Sequence, residues 1–337
     1  MPRAVILTAL TVEYLAVRTH LIHLEEKMYP RGTIYEQGKF VANGQEWEVG
    51  IAEVGAGNTR TAVETERAIA YFQPHILLFV GIAGGIKDVA IGDVVVATNV
   101  YRYESGKVGE QFFLRRNEGK SAYALVQRAE FEARTREWLQ RLSSKPVPPP
   151  HVFVAPIIAG EKVVASRHSD IFQFLRSSYN DAIAVEMEGF GFLSAAFVYP
   201  NIQAIVIRGI SDLIESKHDD VIEPVEVRQA KAAHHASAFA FQILSKLEIF
   251  REFHQETNLA ATNLQQKHQL EQRQEALQSE CNLTIEKLKQ LEWTFVIEPE
   301  STVKLQLKKQ IQELKKQIQD EQQQLRQLEK ALDEAVN

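Results

Sequence analysis

Short apolar runs alternate with helical patterns over the first 248 positions of the chain. Residues 4–10 form a run of buried-strand length, and Glu13 then opens a helical pattern carried by Tyr14, Leu15, Val17 and Leu21. Residues 34–41 and 46–54 predict a hairpin around Asn43-Gly44, a turn dipeptide that tolerates positive φ. Gly55-Ala56-Gly57-Asn58-Thr59 leads into a helix over about 60–71, which Pro74 ends. Further strands are predicted at 75–80, 93–100, 152–159, 182–185 and 203–207, and helices at 120–142, 189–198 and 225–247. This alternation predicts an α/β fold with a mixed, mostly parallel central sheet and helices on both faces.

From residue 249 the pattern changes. Glycine disappears, Gln and Glu become frequent, and Leu307, Ile311, Leu314, Ile318, Leu325, Leu328 and Leu332 follow a four-three spacing broken only by Glu321. Leu270, Leu277, Cys281, Leu288, Leu291 and Phe295 keep the rhythm less regularly, with Pro299 between the two stretches. The expectation is a long α-helical coiled-coil hairpin over 249–337, following a catalytic domain over 1–248. Asn263, Lys267, Gln274 and Thr284 fall at seam positions of the first helix. That mismatch predicts that the seam from Leu307 to Leu332 packs partly against another subunit or a partner's helix, so that 251–337 would bind a protein partner.

Composition narrows the class. The 337 residues carry 38 basic and 44 acidic side chains, a net charge of −6, and the tail from 251 contributes 12 basic against 15 acidic residues. Neither part has the basic excess that would attract nucleic acid or an anionic membrane. A single cysteine, Cys281, excludes an intramolecular disulfide. The N-terminus runs directly into a strand pattern, and no apolar run approaches membrane-spanning length, so a cytoplasmic protein is expected.

Four predicted strand ends carry polar or glycine-rich groups: Glu13, Gly81–Gly85 (with Ala83 and Gly84), Glu186-Met187-Glu188, and Arg208-Gly209-Ile210-Ser211-Asp212. Parallel strands bring their carboxyl ends to one edge, where open α/β sheets bind ligands. Several carboxylates in one cleft suit cleavage through an oxocarbenium-like transition state, one acid protonating the leaving group and another handling water. They would also suit magnesium. No His or Cys pair at ligand spacing points to zinc, and no cofactor is implied. His234-His235 and Asp219-Asp220 read as helix and loop residues.

Val185-Glu186-Met187-Glu188-Gly189 with Arg208-Gly209-Ile210-Ser211-Asp212, Gly81-Ile82-Ala83-Gly84-Gly85, Ile91-Gly92-Asp93-Val94-Val95 and the strand and turn through Glu13 resemble the nucleoside phosphorylase superfamily. The similarity runs over about 3–248 and is nearest to the methylthioadenosine/S-adenosylhomocysteine nucleosidases. It implies hydrolysis of the N-glycosidic bond of a purine nucleoside or nucleotide. Asp212 would protonate purine N7, as a buried acid with a raised pKa could, and Ser211 would orient it. Glu188 would hold the ribose hydroxyls, Met187 would lie under the sugar, and Glu13 would position water. Arg208 would support the carboxylates, with Glu186, Ala83, Gly84 and Val163 completing the substrate site. The resemblance also implies a homo-oligomer, a dimer or higher.

Three positions depart from the family pattern. Ile82 stands where its hydrolases carry Ser, and Val163 where an aromatic residue stacks on the base. Thr11-Val12-Glu13 replaces the phosphate loop of the phosphorylases, which favours water over phosphate. Ile82 and Val163 keep open an alternative, a catalytically weak nucleosidase-like scaffold or binding module; a nucleoside phosphorylase is another. A tail fused to such a domain resembles bacterial conflict effectors, and 295–299 is similar to adapter segments near signalling ATPases.

Overall fold

β1 (Arg3–Thr8) lies in the middle of the sheet, and almost every residue of it is buried. Its even and odd positions enter different cores. Ala4 and Ile6 join Leu78, Val80, Ile205 and Ile207 on one face, and Val5 and Leu7 join Leu77, Phe79, Ala204 and Val206 on the other. With helices over both faces no position alternates to solvent, which is why these strands read as unbroken apolar runs.

The computed structural model describes residues 1–109, 112–164, 166–214, 223–247, 273–274, 277–296 and 301–336, the side chains of the last helix being described at 304 and 306–329. The chain divides into two compact units, Met1–Ile249 and Phe250–Asn337. After β1 come α1 (Thr11–Arg18), β2 (Ile22–Met28), β3 (Ile34–Ala42), β4 (Gln45–Glu53), α2 (Asn58–Phe72), β5 (Ile76–Gly85) and β6 (Val94–Arg102). Three short strands follow, β7 (Gly106–Val108), β8 (Phe112–Leu114) and β9 (Glu118–Lys120), then α3 (Tyr123–Thr135), β10 (Val152–Ala159) and α4 (Asp170–Ser178). β11 (Ala184–Glu186), α5 (Gly189–Ala196), β12 (Gln203–Leu213) and α6 (Val225–Lys246) complete the first unit.

The main sheet runs β11-β10-β6-β12-β5-β1-β4-β3-β2. β5 pairs in parallel with both β1 and β12, while β12 meets β6 in antiparallel fashion, so the sheet is mixed. β11 also pairs back onto the end of β5, Ala184 opposite Gly85 and Val185 opposite Gly84, closing one side into a ring. α6 covers one face through Phe239 and Phe241, and α2 and α5 cover the other through Ile69, Phe72, Phe190 and Phe192.

The α/β class and mixed sheet agree with the sequence reading, and several boundaries differ. β5 and β12 continue through Gly85 and Leu213, so the glycine-rich and Ser-Asp motifs belong to paired strand and are not loops beyond it. The expected helix over 120–142 stops at Thr135, where Arg136 turns left-handed (φ 58°) and a 3-10 turn, Glu137–Arg141, follows. His234 and His235 lie on α6, and His235 Nδ1 bonds the Gly92 carbonyl at 2.6 Å.

In the second unit, α7 (277–296) and α8 (Ser301–Val336) pair antiparallel, with Cys281, Ile318 and Leu325 buried among Leu277, Ile285 and Leu288. Thr284 and Glu321, the polar interruptions of the two stripes, face each other, Thr284 Oγ1 lying 3.3 Å from Glu321 Oε1. At this position the polar mismatch is therefore resolved within the hairpin. Asn263 and Lys267 lie outside the described residues, as do Asp219 and Asp220.

Candidate active site

The ends of β1, β5, β11 and β12 open onto one cleft of about 400 Å³. Glu13 reaches it from α1, Ala83 and Gly84 from β5, Glu186 to Glu188 from the turn between β11 and α5, and Ser211 and Asp212 from β12. A β-bulge places those last two. β12 pairs Ile210 with Ala83 and Asp212 with Gly84, so Ser211 is the extra residue, and the local bend re-aims the side chains beside it.

At the floor, Arg208 is fully buried and surrounded by glutamates. Its Nη2 donates to Glu186 and, at 3.1 Å, to Glu188 Oε2, while Nη1 stands 3.9 Å from Glu13 Oε1. The guanidinium also lies 4.5 Å from the centre of the Phe79 ring, a cation–π contact. Gly81 makes room for this cluster, because a Cβ there would lie 2.3 Å from Arg208 Nη1 and 2.5 Å from Glu13 Oε1.

Backbone amides complete the carboxylate shells. Glu13 accepts from the N–H groups of Ala9 (2.7 Å), Leu10 (2.9 Å) and Ile82 (2.7 Å). Glu186 accepts from Glu188 N at 3.0 Å and Gly189 N at 2.9 Å, and Glu188 Oε1 accepts from Gly57 N at 3.1 Å. Burial raises the pKa of Glu13 against the opposing pull of Arg208 and the three amides. Burial also pushes Glu186 up to about 7, with Arg208 opposing and the Glu188 carboxylate adding to the rise. Burial alone would weaken the Arg208 cation, but the three glutamates outweigh it and hold the guanidinium protonated.

Every residue expected at the site borders this cleft except Arg208, which lies beneath it. Asp212 is half-buried at the cleft and not enclosed as the sequence reading had it. Val163 is 70% exposed, a rim residue. Glu186 borders the cleft with a side chain only 1% exposed. The sequence reading missed Leu10, Ala56, Lys162, Val164, Val225 and Gln229, which also line it. Ala56 lies inside the Gly-Ala-Gly turn, and Lys162 and Val164 flank Val163, so glycine-marked turns carried a usable signal. Nothing in the pattern of α6 marked Val225 or Gln229. Among the described residues no group of three His, Cys, Asp or Glu side chains could hold a metal ion, and no helix is long and apolar enough to cross a membrane.

Four carboxylates gathered by the strand ends of this α/β sheet over a buried arginine border a cleft of small-ligand size. The chain belongs to the phosphorylase superfamily, whose sequence profile matches residues 3–245. It is 26% identical over 175 residues to a 5'-methylthioadenosine/S-adenosylhomocysteine nucleosidase of Desulfotalea psychrophila, covering 51% of this chain and 70% of that one. It is 27% identical over 246 residues to the ATP nucleosidase Cap17 of Escherichia coli, covering 66% of this chain and 48% of that longer protein. The fold also matches the 5'-methylthioadenosine/S-adenosylhomocysteine nucleosidase of Neisseria meningitidis solved with methylthio-immucillin-A. The TM-score is 0.59 at 22% identity, over 73% of this chain and all of that one.

Proposed function

We propose that the chain is a purine N-glycosidase that hydrolyses the bond between adenine and ribose in an adenine nucleoside or nucleotide. The observation that carries this reading is the convergence of Glu13, Glu188 and Asp212 on one cleft above Arg208. Loss of the base leaves positive charge on the ribose, and carboxylates aimed at that charge lower the barrier. Asp212 protonates purine N7 so that the base leaves neutral, with Ser211 orienting it. Glu188 binds the ribose hydroxyls, Met187 packs under the sugar, and Glu13 orients the attacking water. Ala83 and Gly84 supply backbone along the cleft, and Val163 covers its rim.

Water is the favoured nucleophile. Glu13, Glu186, Glu188 and Asp212 line the cleft, and Lys162, the cation lining it among the described residues, is paired with Glu104 at 2.8 Å. Beside Glu13, where the nucleophile is placed, a carboxylate disfavours a phosphate dianion, and water needs no cationic cradle. The similarity to methylthioadenosine and ATP nucleosidases supports an adenine-bearing substrate. The match to the ATP nucleosidase, together with the added helical unit, supports a role as effector of a bacterial conflict system. In that reading the first unit catalyses, assembled as a dimer or higher, and 250–337 serves assembly or partner binding.

Chromatography of free adenine, with adenosine, 5'-methylthioadenosine, S-adenosylhomocysteine and ATP offered separately, tests the activity. Release of adenine and a free sugar from at least one of them, unaffected by added phosphate, is expected. Binding without turnover of all four would favour the scaffold reading, to which Ile82 and Val163 point, and formation of a sugar 1-phosphate would favour a phosphorylase.

A further inference from the structure

Both oxygens of Glu186 are engaged by the protein itself. Its Oε2 accepts from Glu188 N (3.0 Å), Gly189 N (2.9 Å) and Arg208 Nη2, and its Oε1 accepts from Gly189 N at 2.9 Å. The carboxylate is folded back onto its own turn, which glycine at 189 permits, since a Cβ there would sit 3.0 Å from Glu186 Oε1. Met187 and Glu188 ride on that turn. We propose that Glu186 is a positioning residue. By tying Arg208 to the β11–α5 turn it sets the direction of Glu188 and Glu13, the two carboxylates that share that guanidinium. This inference rests on the N-glycosidase reading for its kinetic consequences, and on geometry alone for the coupling among the four side chains.

Arg208 Nη2 serves two carboxylates, Glu186 and Glu188, and Nη1 faces the third, Glu13. Three carboxylates and one guanidinium buried together would sum to −2, which low-dielectric surroundings oppose. The charged groups facing Glu186 are Arg208 from β12 and Glu188 from its own turn, with Glu13 from α1 on the far side of the guanidinium. Burial, Arg208 and Glu188 together hold Glu186 at about 7. As Glu186 takes up a proton its grip on Arg208 weakens, and the guanidinium is freed to close on Glu188 and Glu13.

Glu186→Gln keeps the shape and removes the titration, and Glu186→Asp keeps the charge at a shorter reach. With whichever adenine nucleoside or nucleotide the wild type hydrolyses, Glu186→Gln should lower kcat about 10²-fold through misalignment, with KM changed less than about threefold. It should also flatten the limb of the kcat profile near pH 7, and Glu186→Asp should restore that limb. A raised KM at wild-type kcat would overturn the proposal in favour of a direct substrate contact. Wild-type kcat and pH profile in Glu186→Gln would overturn it outright.

A measurement without substrate separates this idea from the functional reading. The carboxylates of glutamate-labelled protein can be titrated by ¹³C NMR, with Glu13 and Glu188 assigned by substitution. Both should shift their titrations in Glu186→Gln. If neither moves, the coupling does not exist, whatever the enzyme does; if both move and no adenine is released by the wild type, only the N-glycosidase reading falls.

Discussion

Glu186 and Glu321 are both buried carboxylates, each 6% exposed, one under the cleft of the first unit and one in the seam of the helical hairpin. Glu186 is held on both oxygens, by a guanidinium and two backbone amides, one of which bridges the two oxygens. Glu321 is not. Gln317 Nε2 donates to its Oε1 at 2.8 Å, and Thr284 Oγ1 reaches the same oxygen at 3.3 Å while also donating to Glu280 O at 3.1 Å. Its Oε2 has no hydrogen-bond partner among the described residues, and burial together with the carboxylate keeps the Cys281 thiol above its ordinary pKa. A carboxylate ringed by fixed donors on rigid strand ends is preorganised for chemistry. One held by a shared hydroxyl and a flexible amide marks register between two helices.

The largest effect should come from the acid on which the cleft converges. Asp212→Asn should lower adenine release about 10³- to 10⁴-fold at unchanged fold, because an amide cannot give a proton to N7. Initial rates together with the circular dichroism spectrum check this, and turnover near wild type would remove Asp212 as the acid. Arg208→Met should come next. It leaves three buried carboxylates facing one another and should destabilise the first unit by about 3–5 kcal/mol, read from urea unfolding. A milder loss would mean that the cluster is less coupled than its geometry implies.

Glu186 also has a signature in pH. Its folded pKa is raised from the ordinary 4.5 to about 7, so between those values the native protein holds a proton that the unfolded chain has released. Stability from this group is full below about 4.5 and is lost as pH rises through about 7. Urea midpoints across pH 5 to 8 should therefore fall more steeply in the wild type than in Glu186→Gln. Identical slopes would place the proton elsewhere.

The legible parts of the molecule were those where one physical rule acts alone. Strands buried on both faces must be continuously apolar, and β1, β5 and β12 were found that way. Their convergence followed from parallel pairing, which brought Glu13, Glu188 and Asp212 together. What stayed hidden depends on contacts distant in sequence. β2 (Ile22–Met28) is mostly exposed edge strand with charges at three of its seven positions, Glu25, Glu26 and Lys27, so it carries no apolar signal. The continuation of β5 through Gly81–Gly85 is imposed by its pairing with β12 and β11, against the low strand preference of glycine. The bulge at Ser211 is a property of that pairing and not of the residues in it. In the tail, Thr284 and Glu321 each read as a defect, and only their juxtaposition shows one polar layer.

The smallest effect expected is the sharpest test of the contrast between the two glutamates. Replacing Glu321 by Leu removes a buried carboxylate whose second oxygen lacks a partner and fills the seam between Ile318 and Leu325. Thr284 keeps its bond to Glu280 O, Gln317 is exposed and finds water, and the buried Cys281 thiol loses only the weak bond it makes to the carboxylate. The hairpin should gain about 1 kcal/mol, whereas the same change at Glu186 should be destabilising because it strands Arg208 and the amides of Glu188 and Gly189. Hydrogen exchange on the full chain reads both units at once. In Glu321→Leu, amides across 277–296 and 306–329 should exchange about fivefold more slowly, a factor equivalent to that 1 kcal/mol. Faster exchange there would show that the Thr284–Glu321–Gln317 layer stabilises the pairing of α7 with α8 more than an apolar side chain can, and that the hairpin's glutamate is as firmly built in as the one beneath the cleft.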